Sequence, residues 1–137
     1  MKLSEYENFI YSIPETFPSI KSSDLVLQYR GKTTCWLLGN VYFSKNIILR
    51  VTEVLDFMQK DFIENYGYTI FRQNEKLYYY DSQPHPHLEH LQITHPHHKH
   101  ITPNIKHNRI PAPGLSFSQS NLPLLIREIE ETLLKSS

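Results

Sequence analysis

Cysteine is nearly absent from this 137-residue chain, with Cys35 the only one. A single thiol forms no intrachain disulfide, and Cys35, set between Thr34 and Trp36 in an apolar run, reads as a small buried residue in a reducing cytoplasm. No stretch approaches the ~20 apolar residues that span a bilayer, and the N-terminus lacks the basic-then-apolar pattern of a secretory signal. A cytoplasmic protein with no membrane partner is expected. Net charge is missing as well: Lys plus Arg and Asp plus Glu are 14 each, so there is no global basic surface, and any nucleic-acid binding must rest on a local patch. Neither a phosphate-cradling glycine loop nor a nucleophile motif is found, which ranks modification of nucleotides or proteins lowest among the enzymatic readings.

What the chain has in excess lies in one place. All eight histidines fall between His85 and His107, and four crowd into His95-Pro-His97-His98-Lys-His100. Six of the nine prolines lie between residues 84 and 113. The segment is internal and flanked by ordinary globular sequence, so it is no affinity tag. From residue 85 to 109 it carries Lys99, Lys106 and Arg109 against Glu89 alone. Histidine changes charge near neutral pH and is a common metal ligand, so chemistry is expected here.

The rest reads as one α+β domain over 1–137, long enough for a single core. Ser4 and Glu7 resemble a capping box, and Tyr6, Phe9, Ile10 and Ile13 recur at helical spacing, which predicts a helix over 4–13 ended by Pro14 and Pro18. From Asp24 the period becomes two. Strands are expected at Leu25 to Tyr29, Thr33 to Phe43, Ile47 to Leu55, Asn65 to Arg72 and Leu77 to Asp81, with turns at Gly31-Lys32, Ser44-Lys45-Asn46 and Gln73-Asn74-Glu75. Short connections between successive strands predict a curved antiparallel meander of about five or six strands over 24–82. A long His/Pro-rich loop should follow over 83–119, with a short extended piece near Leu91 to Thr94. Leu122, Leu125, Ile126, Ile129 and Leu133 form an apolar stripe on a helix over 121–135, with Ser120 or Asn121 as cap and Pro123 in the first turn. Both terminal helices should pack on one face of the sheet.

Two chemistries suit the histidines. His98 and His100 share one side of an extended chain, as do His95 and His97, so zinc or another divalent metal could find two ligands locally. Against a dedicated site, no cysteine is near, no His-Glu-x-x-His helix exists, and the spacings match no structural zinc pattern. Acid–base cleavage of RNA through its own 2′-hydroxyl needs a proton acceptor, a proton donor and a cation, which two histidines with a Lys or Arg provide. Tyr66, Tyr68, Tyr78, Tyr79 and Tyr80 offer faces for unpaired bases, Arg72 a phosphate contact, and Asp81 a carboxylate to orient a histidine ring. The competing structural reading makes these tyrosines half-buried packing residues and Arg72 with Asp81 a cross-strand ion pair. Eight polar rings do not build a core, although one or two can brace a turn. A pH-sensing role lacks a two-state element in the sequence.

The run Gly39-x-Val41-x-Phe43, Leu49-x-Val51-x-Glu53-Val54-Leu55-Asp56-Phe57, Tyr66-Gly-Tyr68, Tyr80-Asp81, Pro84-His85 and Pro96-His97-His98-Lys99-His100 resembles the TumE family of bacterial toxin–antitoxin systems, over roughly 24–135. The resemblance implies a small cytoplasmic protein encoded beside a helix-turn-helix antitoxin that binds and neutralises it. It implies no particular reaction; that many toxins of such two-gene modules act on RNA is an analogy. Where the motif leads one to expect Arg-aromatic-Asp-Asn, this chain has Tyr79-Tyr80-Asp81-Ser82-Gln83.

Together these readings predict a metal-independent endoribonuclease toxin without a cofactor. His97, His98 and His100 contribute the proton-transferring pair, His85 assists from the other end of the loop, and Asp81 orients a ring. Lys99 or Arg72 holds the phosphate, and Tyr66, Tyr68 and Tyr80 stack bases. His87, His90 and His95 receive no role. The alternative is a non-enzymatic module whose loop binds metal, antitoxin or RNA, and the chain acts alone or as a homodimer.

Overall fold

The computed structural model describes residues 1–82, 97–101, 109–112 and 114–135. The expected α+β architecture is present: an antiparallel sheet with helices from the two chain ends on one face. Its strands are β1 (Ile20–Ser23), β2 (Val26–Tyr29), β3 (Thr34–Phe43), β4 (Ile47–Asp56), β5 (Ile63–Arg72), β6 (Glu75–Ser82), β7 (His97–His100) and β8 (Arg109–Pro111). From β3 to β8 each strand pairs with the next, while β1 and β2 both lie along β3 and share one edge of the sheet.

Turn chemistry sets this meander. Lys45 and Asn46 both adopt positive φ, 60° and 62°, as a two-residue turn matched to strand twist requires. Gln73 begins the next turn at φ 56°, and its amide donates to the Asn46 carbonyl at 2.9 Å, locking one hairpin tip to the other. Gly39 (φ +141°) faces the break between β1 and β2; a Cβ there would lie 2.8 Å from the Asp24 carbonyl oxygen. That approach lets the Asp24 carboxylate accept from the Asn40 amide at 2.5 Å and from the Tyr42 hydroxyl at 3.0 Å.

Period-two alternation sends Cys35, Leu37, Val41 and Phe43 of β3, and Ile47, Leu49, Val51, Glu53 and Leu55 of β4, to a buried inner face. Cys35 is 1 % exposed, and burial, with smaller contributions from Glu7 and Glu53, pushes its thiol up to about 11. The inner face is covered by α1 (Leu3–Tyr11), α2 (Ile13–Thr16) and α3 (Leu122–Ile129), the last running on through a π-helical turn, Glu130–Leu134. Leu122, Leu125, Ile126 and Ile129 are all buried, each contributing about 1.5–3 kcal/mol.

Three local expectations change. The capping box is not formed: the Lys2 carbonyl accepts from the Tyr6 amide, so α1 begins before Ser4 and carries no side-chain cap. Pro14 opens α2, where its missing N–H costs nothing, so it divides the N-terminal helix instead of ending it. Asn121 stands at the N-cap of α3, but its side chain turns inward to other partners.

The largest difference lies in the expected loop, which contributes β7 and β8 to the sheet. His97–His100 is a proline-free run between Pro96 and Pro103, so its amides are available to the edge that β6 would otherwise leave unpaired. Pro111 is tolerated because β8 is an edge strand. The extended piece expected near Leu91 to Thr94 lies outside the described residues.

Candidate active site on the β6–β7 ladder

Register sorts the histidines. Ser82 pairs with His97, Asp81 with His98, Tyr80 with Lys99 and Tyr79 with His100. Cross-strand partners share a face, so Asp81, Tyr79, His98 and His100 belong to the outer face, and Ser82, Tyr80, His97 and Lys99 to the inner, helix-covered face. The pair His98 and His100 therefore shares a side, as expected, and His97 stands on the opposite one.

On the outer face His100 Nε2 lies 2.9 Å from Asp81 Oδ1, and the His100 ring stacks on Tyr79 with centroids 4.0 Å apart and planes 9° from parallel. A carboxylate oxygen accepts, so Nε2 is the nitrogen that donates to Asp81, and in a neutral ring the lone pair then falls on Nδ1. That Nδ1 is buried and has no hydrogen-bond partner among the described residues. An oriented imidazole with one uncommitted nitrogen is the arrangement a general base requires.

On the inner face His97 Nδ1 lies 2.5 Å from the Tyr66 hydroxyl, and its ring is nearly parallel to Tyr66 and 4.4 Å from Phe117. Burial, then the Asp81 charge, holds the Tyr66 hydroxyl above its ordinary range, so it stays protonated near neutrality. Tyr66, Tyr68 and Tyr80 are buried at 3 %, 0 % and 3 % exposed, which removes the bases' access to them in this structure. Tyr80 donates to Glu128 at 2.6 Å. Lys99 reaches the same carboxylate at 3.5 Å and sits 4.5 Å over Tyr78, beside a cleft of about 180 Å³ between β6, β7 and α3.

Arg72 is not brought to Asp81. It pairs with Glu75 at the hairpin tip, whereas Asp81 pairs with Gly67, five residues back along β5 and about 17 Å away. His85 and the unassigned His87, His90 and His95 lie outside the described residues. Among the described residues, no three His, Cys, Asp or Glu side chains are arranged to hold a metal ion.

Sequence reasoning gave no role to Glu53. It is fully buried, accepts from the Tyr6 hydroxyl on one oxygen, and from the Tyr68 hydroxyl at 2.5 Å on the other. Asn121 Nδ2 in turn donates to the Tyr68 hydroxyl at 3.0 Å. Burial raises the Glu53 carboxyl above its ordinary range, and the two tyrosine hydrogen bonds pull it only part of the way back. The signal was present in Ile47-x-Leu49-x-Val51-x-Glu53-x-Leu55, where alternation places a carboxyl on an apolar face.

A family model described as Toxin TumE matches residues 9–133, nearly the whole chain. The chain belongs to the TumE toxin family. No curated protein and no solved structure matches it. TumE membership makes it a toxin of a toxin–antitoxin system with an antitoxin as partner. Among the described residues no helix is long and apolar enough to cross a membrane. The part of the TumE-like motif that stands out most in the sequence, His97-His98-Lys99-His100, is the β7 strand, and its Tyr80-Asp81 lies on the neighbouring β6.

Proposed function

We propose that this TumE-family toxin is a metal-independent endoribonuclease with Asp81 and His100 at its centre. The observation carrying the reading is the oriented His100 ring, held 2.9 Å from Asp81, with Nδ1 left uncommitted among the described residues. His100 Nδ1 accepts the proton of an RNA 2′-hydroxyl, and the 2′-oxygen forms a bond to the adjacent phosphorus. As the bond to the 5′-oxygen breaks, a second imidazole protonates that oxygen, leaving a 2′,3′-cyclic phosphate and a 5′-hydroxyl. His98 shares the outer face and is the donor assigned here; His85, which lies outside the described residues, is proposed to assist. His97 and Lys99 belong to the inner face and Arg72 to the β5–β6 hairpin tip, so the proposal gives none of these three a part in the proton transfers. His98 and His100 are 2 % and 3 % exposed, so the proposed step requires a local opening that admits the substrate to both rings.

RNA incubated with the protein in EDTA should yield 2′,3′-cyclic phosphate ends, and His100→Ala should lower the rate by about 100-fold or more. Intact RNA, or cleavage that persists in both His98→Ala and His100→Ala, would sink this reading. The antitoxin is proposed to be a helix-turn-helix protein encoded alongside, whose addition should suppress the cleavage.

A further inference from the structure

Among the described residues no helix packs on the outer face of the sheet, and its surface is not random. Arg50 of β4 pairs with Thr69 of β5, Thr69 with Tyr79 of β6, and Tyr79 with His100 of β7. This single row crosses four strands, about 14 Å from Arg50 to His100. One step along β5, Phe71 lies opposite Lys76. The Arg50 guanidinium stands 4.9 Å over the Phe71 ring, the Lys76 ammonium 5.2 Å from the Tyr79 ring, and Tyr79 stacks on His100. Two aromatic rings, each with its own cation, thus run into the Asp81–His100 pair, one face of Tyr79 being already stacked on His100.

The charges ask for an anion. Arg50 and Lys76 are exposed and make no ion pair among the described residues; Arg50 Nε has a long hydrogen bond, 3.4 Å, to Asn40 Oδ1. Two carboxylates of this region are engaged elsewhere, Asp24 with Asn40 and Tyr42, and Asp81 with His100. In a chain whose formal charges cancel, these cations are a local feature. An acidic peptide would satisfy them without using the rings. A single-stranded RNA uses both, because phosphates meet the cations while unpaired bases stack on the Phe71 ring and the Arg50 guanidinium plane, at the exposed end of the row, away from the buried His98 and His100. Duplex RNA keeps its bases stacked on one another and cannot.

We infer that Arg50, Phe71, Lys76 and Tyr79 form a platform that binds single-stranded RNA and leads it toward His100. Delivery to His100 rests on the ribonuclease reading; binding does not. The probe is a labelled single strand 2′-O-methylated throughout, so that it has no attacking hydroxyl, with anisotropy measured against salt and against the same sequence as a duplex. The single strand should bind at least tenfold more tightly than the duplex. Arg50→Gln and Lys76→Gln should each weaken binding about five- to tenfold and reduce the salt slope by about 0.7. Phe71→Leu should weaken it about fivefold or more with the slope unchanged. Arg127→Gln, on the exposed side of α3, serves as the control.

No binding, duplex bound as well as single strand, or affinity unmoved by Arg50→Gln and Lys76→Gln overturns the platform. So does loss of antitoxin binding alone in those variants. If unmodified RNA is bound through these residues yet never cut, the platform stands and the catalytic reading falls. If RNA is cut through His100 while both variants bind it normally, the catalytic reading stands and the platform falls.

Discussion

At the scale of single residues, the ladder divides three neighbouring histidines into different jobs. Asp81→Asn replaces an acceptor by a group that can also donate, so the His100 tautomer is no longer fixed. Cleavage should fall by about 100-fold or more with the circular dichroism spectrum unchanged. His97 is predicted to behave in the opposite way. Its ring is packed between Tyr66 and Phe117, so His97→Gln should lower stability by about 1–3 kcal/mol in urea titration while cleavage stays within a few-fold of wild type. A large loss of cleavage without loss of stability would return His97 to the chemistry. Which histidine faces which was invisible in the sequence, because proline-interrupted spacing specifies no register until β6 offers an edge to pair with. Glu53 was the reverse case: its position was readable from alternation alone.

At the scale of elements, the strands from β2 to β6 were legible because alternation and turn residues agree, as at Lys45-Asn46, where two positive φ angles close the hairpin. The strands β7 and β8 were not, because local composition argues for loop and only tertiary pairing decides otherwise. The terminal helices were readable as stripes, but their caps were not, since Asn121 serves the core in place of its own helix. Glu128 is what ties α3 to this part of the sheet, taking the Tyr80 hydroxyl and the Lys99 ammonium together. Glu128→Ala should therefore cost about 1–2 kcal/mol, much of it the buried Tyr80 hydroxyl left without an acceptor. Denaturant unfolding measures this directly, and a neutral result would mean the tie is ornamental to stability.

At the scale of the whole molecule, the Tyr6–Glu53–Tyr68–Asn121 network joins both chain ends to the middle of the sheet. Because folding raises the Glu53 carboxyl above its unfolded value, its stabilising contribution is complete below that unfolded value, near ~4.3, and is lost as pH rises through the folded one. Glu53→Gln stays neutral throughout, so its melting temperature relative to wild type should climb as the pH rises above the unfolded value. A gap that stays constant or shrinks would show that the carboxylate is ionised in the core.

The sheet has two borders, and both are cut short. At one, β8 is three residues long and ends in Pro111. At the other, the chain is split into β1 and β2, four residues each, where Asp24 closes on Asn40 across Gly39. Among the described residues neither border is a long straight strand, and short edges of this kind disfavour growth by adding strands. A toxin with edges this short is expected to stay unpolymerised as it accumulates, which light scattering against concentration would check.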